Sequence, residues 1–180
     1  MNKKIIAIAV LTASLSGITA AQAASTWGPA GGEREFSLSG TGSSDKDFNN
    51  SSFGISADLG WFTSENSVWG VRQSLNFADI EGEDLSNDFW NGSTRGYYDY
   101  HFLNGSWRPF IGASLGAIYG DGVKDSGFAG PELGVKYYVL ESTFILARAE
   151  YQFFFTDSNS ASDNWDDGAF SYVFGMGYNF

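Results

Sequence analysis

Over residues 168–180, large apolar side chains alternate with small or polar ones. Phe170, Tyr172, Phe174, Met176, Tyr178 and Phe180 fall on one face of an extended chain, with Ser171, Val173, Gly175, Gly177 and Asn179 on the other. A period of two belongs to a β-strand. The alternation recurs upstream. Residues 33–43 set Phe36 and Leu38 against Glu35, Ser37, Ser39 and Thr41, and residues 51–62 set Phe53, Ile55, Leu59 and Trp61 against Ser56 and Asp58. A third segment carries Trp69, Val71, Leu75 and Phe77 opposite Arg72, Ser74 and Asn76, with Gln73 interrupting its apolar face. Residues 94–103 alternate Tyr98, Tyr100 and Phe102 with Arg95, Tyr97, Asp99 and His101, and residues 109–120 alternate Ile111 and Leu115 with Phe110 and Ser114. Residues 130–140 oppose Leu133, Val135 and Tyr137 to Glu132, Lys136 and Tyr138, with Pro131 near the strand end where a missing donor is tolerated. Residues 143–155 oppose Ile145, Tyr151 and Phe153 to Arg148, Glu150 and Gln152.

Eight such segments make an amphipathic sheet that suits either a soluble sandwich, with the apolar face inward, or a membrane barrel, with it outward. The connections separate the two. Those after the first, third, fifth and seventh strands are long and acidic, and those between are tight turns. An up-and-down outer-membrane barrel sorts its loops by end in this way, with short turns in the periplasm and long loops outside. The pattern predicts an all-β fold, an eight-stranded antiparallel up-and-down transmembrane β-barrel.

Ahead of it, a basic start (Lys3, Lys4), an apolar run and Ala21-Gln22-Ala23 have the form of a secretory signal. The expected organisation is a signal peptide over residues 1–23, a periplasmic leader over 24–32 and an outer-membrane β-barrel domain over 33–180. Loss of the signal would take the net charge from −11 to −13, since it removes two lysines and no acid. Such a surface excludes nucleic acid as a partner. The absence of cysteine removes disulfide and thiolate chemistry. Aromatics at 17% and 23 glycines suit close-packed strands with interfacial rings, and a mean hydropathy of −0.18 is compatible with strands that alternate.

Charge divides the chain further. Four long loops hold thirteen acids and only Lys46 and Lys124, whereas the polar strand faces are nearly balanced: Glu35, Asp58, Asp99, Glu132 and Glu150 against Arg72, Arg95, Lys136 and Arg148. A barrel of eight strands encloses just enough space for side chains, and ions there must pair. These nine residues, with His101, are therefore expected to form a lumen charge network. Turn positions predict Asp58 opposite Arg72, and Lys136 beside Arg148 with Glu150 on the diagonal. Glycines on the inner faces of the fifth and eighth strands are expected to make room for the charges. Aromatics should form two girdles, with Trp61, Trp69, Phe102, Trp107, Tyr137 and Tyr178 near the short turns and Phe53, Phe77, Trp90, Tyr119 and Phe155 towards the loops.

The ending Tyr172-Val173-Phe174-Gly175-Met176-Gly177-Tyr178-Asn179-Phe180 is similar to the C-terminal signal of small outer-membrane barrels, and Trp107-Arg108-Pro109-Phe110-Ile111-Gly112-Ala113 resembles a recurring strand of the same proteins. With eight alternating strands, the chain resembles the OmpA, OmpX and Opa type of barrel. The resemblance implies outer-membrane lipid as surroundings and contact of the barrel assembly machinery with Met176, Tyr178 and Phe180. It does not imply an activity, because the family includes anchors and adhesins. The wall-anchoring role of two-domain relatives is not expected.

Lipid-acting barrels of this size resemble a His-x-Ser arrangement, but His101 is followed by Phe102-Leu103, and its parity and nearness to a short turn make it a lumen residue beside Asp99. Acidic runs at residues 79–84 and 163–167 lack the spacing of a calcium loop. No catalytic residue, metal or cofactor is assigned. The favoured function is a non-enzymatic structural or surface-interaction role for a barrel with acidic extracellular loops and a charge-filled lumen, with an extracellular ligand of unspecified identity. A small channel, and behind it a lipid-modifying enzyme, are the alternatives.

Overall fold

Alternation at period two becomes a continuous sheet. The computed structural model describes residues 27–45, 51–78, 89–120, 126–155 and 169–180. Its strands are β1 (Arg34–Asp45), β2 (Ser51–Ser64), β3 (Ser67–Ala78), β4 (Phe89–His101), β5 (Trp107–Gly120), β6 (Ser126–Tyr138), β7 (Thr143–Phe155) and β8 (Ala169–Asn179). Each pairs antiparallel with the next, and β8 returns to β1 to close a barrel. Phe36 lies opposite Tyr178 and Leu38 opposite Met176 in that closing pair. Closure removes the exposed sheet edge and satisfies the ladder's amides and carbonyls internally, as a bilayer requires. The signal segment and the acidic runs at 79–84 and 163–167 lie outside the described residues.

The two faces differ as a membrane barrel requires. Phe53, Leu115 and Phe174 are 67%, 63% and 70% exposed on the outside, whereas Arg72 and Glu132 are 0% and 1% exposed within. Moving each such apolar side chain from water into lipid contributes about 1.5–3 kcal/mol. Near the short turns Trp61 stacks on Trp69 at 4.9 Å, Trp107 meets Tyr137 at 4.6 Å and Tyr178 stacks on Phe180 at 6.5 Å. These rings form the lower girdle. The upper girdle includes Phe53 and Phe155, which are exposed.

Five strands run further than the apolar alternation predicts: β1 reaches Asp45 rather than residue 43 and β2 Ser64 rather than 62. β4 begins at Phe89 rather than residue 94, β5 at Trp107 rather than 109, and β6 at Ser126 rather than 130. Ladder pairing continues past the lipid-facing stretch, where side-chain polarity no longer marks it. β4 also stops at His101, two residues short of the expected end. Pro131 consequently sits mid-strand, not near an end. It pairs with Ala113 of β5, while the ladder to β7 is interrupted between Ala129–Phe153 and Glu132–Glu150, so its missing donor breaks no bond.

Gln73, the amide on the outer face, is satisfied on the barrel surface. Its Nε2 donates to Tyr119 Oη at 2.7 Å, Thr94 Oγ1 donates to its Oε1 at 2.6 Å, and the two hydroxyls lie 3.1 Å apart. Tyr119 reaches this position by lying across Gly92, where a Cβ would come within 2.7 Å of the ring. Three strands thus contribute one closed polar triad.

Candidate functional site: the lumen and its vestibule

Inward parity brings the charged residues of β2, β3, β4, β6 and β7 together. Arg72 is the hub: Nε donates to Asp58 Oδ2 at 2.9 Å, Nη1 to Glu132 Oε2 at 2.8 Å and to Glu150 Oε1 at 2.9 Å, and Nη2 to Glu132 Oε1 at 3.2 Å. Arg148 joins Glu150 at 2.7 Å and Asp58 at 3.0 Å, and Arg95 binds Glu150 Oε2 at 2.5 Å. Three guanidinium groups thus meet three carboxylates. The Arg72 guanidinium also lies 4.5 Å from the Tyr97 ring centroid.

Asp58 stands opposite Arg72 in the β2–β3 ladder, but Lys136 does not stand beside Arg148. The β6–β7 register pairs Lys136 with Leu146 and Gly134 with Arg148, because the turn is centred one residue earlier than the sequence implies. Lys136 crosses the lumen instead and binds both carboxylate oxygens of Glu35 at 2.7 Å. Its ammonium is surrounded by the rings of Phe62, Phe110 and Phe144 at 5.6, 5.7 and 5.1 Å. Asp99 packs over Gly112, its Oδ1 has no hydrogen-bond partner, and no cation among the described residues pairs with it. Glycines of β5 make room for Asp99 and Arg95, but those of β8 accommodate Ser39 and the Phe144 ring, not charges.

His101 is separated from Asp99 chemistry. Its ring lies 5.9 Å from Phe62 and 5.4 Å from Phe110, Nδ1 is 3.2 Å from Asn66 O, and Nε2 has no hydrogen-bond partner among the described residues. Below this level Phe62, Val68, Phe110, Tyr138, Phe144 and Leu146 form an apolar floor, all buried. Arg108 seals its underside, with Nη1 donating to Glu65 O at 2.8 Å and Nη2 to Trp27 O at 2.7 Å, while Gly28 N donates to Glu141 O at 2.9 Å. Arg108, Phe62 and Phe144 are lumen residues that the alternation alone does not assign. Parity with Phe110 marks Arg108 as inward, but N-G-S-W-R reads as a turn.

Towards the loop end the described residues line a cavity of about 90 Å³, a vestibule above the ionic cluster. Its walls carry the amides of Asn76, Asn91 and Gln152, hydroxyls including Ser93 and Ser171, and the rings of Phe128 and Phe154, with Arg95 at its base. Met176, Tyr178 and Phe180 are exposed on the outer face, and Phe180 exchanges backbone hydrogen bonds with Arg34 at 2.8 and 2.9 Å.

No protein-family model and no curated protein matches this sequence. Among solved structures, the chain is similar to neisserial surface protein A, with 18% identity, a TM-score of 0.58 and coverage of 82% of this chain and 96% of that one. The N-terminal β-barrel domain of Pseudomonas aeruginosa OprF gives 19% identity, a TM-score of 0.55 and coverage of 84% and 100%. The outer membrane protein OprG of the same organism gives 15%, 0.54, 85% and 98%. A closed antiparallel barrel with an exposed apolar belt requires lipid around it, and outer membranes are where such barrels reside. The chain has the fold of the small eight-stranded outer-membrane β-barrels.

Proposed function

We propose that the protein is a non-enzymatic structural or surface-interaction barrel that meets its surroundings through its loop end. The observation that supports this reading is the lumen itself. Arg72, Arg148 and Arg95 with Asp58, Glu132 and Glu150 fill its middle, and an apolar floor lies beneath. The filled middle and the floor leave no passage from the short-turn end. His101, the single histidine, lies at the opposite end among phenyl rings, which favours the non-enzymatic reading over lipid chemistry. The filled middle likewise weighs against a wide channel.

Residues 1–23 act in this proposal as an export signal and residues 24–32 as the periplasmic leader. Met176, Tyr178 and Phe180 present the aromatic C-terminal strand to the assembly machinery. The acidic loops carry the surface role. Fractionation with heat-modifiable gel migration tests the proposal: the native chain is expected in the outer membrane as a compact form that unfolds on heating. Phe180→Ser should lower the inserted fraction without altering the stability of chain refolded in detergent. A soluble, heat-insensitive product would overturn it.

A further inference from the structure

We propose that the vestibule is a binding site for one neutral sugar residue, the exposed end of a glycan outside the cell. This deepens the surface-interaction reading and rests on it. The lining is built for hydroxyl groups. Asn91 accepts from Asn76 through Oδ1 and Gln152 donates to Glu150 through Nε2, so that among the described residues Asn91 Nδ2 is left to donate and Gln152 Oε1 to accept. The hydroxyls of Ser93 and Ser171 add groups that can each donate and accept. Arg95 Nε, at the base, has no hydrogen-bond partner. Phe154, packed 6.1 Å from Phe128, supplies an aromatic wall for the apolar C–H face of a sugar ring.

Charge excludes the competing ligand classes. Among the described residues Arg95 is the single ionic side chain lining the vestibule, and Glu150 already neutralises it. The segments that join the strands at this end carry twelve acids and two lysines in the sequence, a charge that also opposes an anion. Among the described residues a cation would find no free carboxylate, since Glu150 is 2% exposed and bonded to three arginines. Size agrees: at roughly 15 Å³ per water, a cavity of about 90 Å³ holds about six waters, the space of one sugar ring. The ionic cluster closes the cavity below, so an occupant docks and does not pass. Strands, not loops, hold the lining groups, which fixes their spacing.

The test uses the full mature chain in dodecylphosphocholine micelles, whose headgroup contains no sugar. D-glucose, D-galactose and N-acetyl-D-glucosamine are titrated to about 100 mM, a limit that includes weak ligands, while the side-chain amide resonances of Asn91 and Gln152 are followed by NMR. D-glucuronate and ethanolamine serve as charged controls. At least one neutral sugar is expected to give saturable shifts at millimolar concentration. Asn91→Ala should weaken that binding about tenfold, the loss of one hydrogen bond, as should Phe154→Ala. Gln73→Leu, on the outer surface, should leave it unchanged. Heat-modifiable migration of each variant reports that the barrel has formed. The proposal is overturned if no neutral sugar produces shifts, if a charged control binds more tightly, or if Asn91→Ala and Phe154→Ala bind as the parent does. A chain found in the outer membrane but without sugar-dependent shifts sinks this inference alone; absence from the outer membrane sinks the reading beneath it.

Discussion

Arg72 binds three carboxylates at once while fully buried, so its removal leaves Glu132 without an ion pair among the described residues and takes one partner from Asp58 and Glu150, which keep Arg148 and Arg95. Breaking a buried ion pair by removing one partner costs about 3–5 kcal/mol. Arg72→Met is expected to reduce stability by at least that amount in denaturant titrations of the refolded barrel. Lys136 offers a sharper comparison because its ion pair is separate. Lys136→Met should cost about 3 kcal/mol by leaving Glu35 unpaired, whereas Lys136→Met combined with Glu35→Leu should recover most of the loss, since an apolar pair can replace a buried ionic one. A double-mutant cycle measures the difference. Additive losses would show that Glu35 and Lys136 do not act as a pair.

Strands decide which polar residues a membrane surface tolerates. Gln73 on β3, Thr94 on β4 and Tyr119 on β5 satisfy one another, and the arrangement depends on Gly92 leaving space for the Tyr119 ring. Gly92→Val should displace the ring and leave the amide of Gln73 unsatisfied in lipid, costing about 1–3 kcal/mol. Gln73→Leu removes the amide and retains the Thr94–Tyr119 contact, so it should change stability by less than about 1 kcal/mol. Unfolding from lipid vesicles distinguishes the two, and equal losses would contradict the triad's role. Gly112 presents the inward counterpart. A methyl group there would overlap the Asp99 carboxylate and the Tyr98 carbonyl, so Gly112→Ala should destabilise by about 1–3 kcal/mol in the same assay.

For the whole molecule, the described residues plug the barrel at its short-turn end. Outer rings contact lipid, ion pairs bridge the middle of the lumen, and Phe62, Phe110, Tyr138 and Phe144 with Arg108 close the bottom. Planar-bilayer recordings should therefore give no stable large conductance, and steady open steps would refute the plugged lumen. Gly28 belongs to this plug: its φ of 92° is left-handed, and the Arg108 guanidinium packs where a Cβ would project. Gly28→Val should release the segment from Arg108, read as faster hydrogen exchange at the Gly28 to Glu141 bond.

Alternation at period two, loops sorted by length and the aromatic terminus were sufficient to determine the eight-stranded barrel and which face meets lipid. Both are local properties, since parity is counted along a single strand. The Asp58–Arg72 pairing was legible for the same reason, as one tight turn sets that register. Strand ends, the place of Pro131 and the partner of Lys136 were not. They depend on where the ladder continues after polarity stops marking it, and on a one-residue turn shift that moves Arg148 opposite Gly134. Contacts across the lumen, such as Lys136 to Glu35, join strands far apart in the chain, and no periodicity encodes them. The tertiary structure alone decided that the charges form one cluster and one separate pair, that phenyl rings close the floor, and that amides and hydroxyls converge in a vestibule, because barrel closure brings these side chains together.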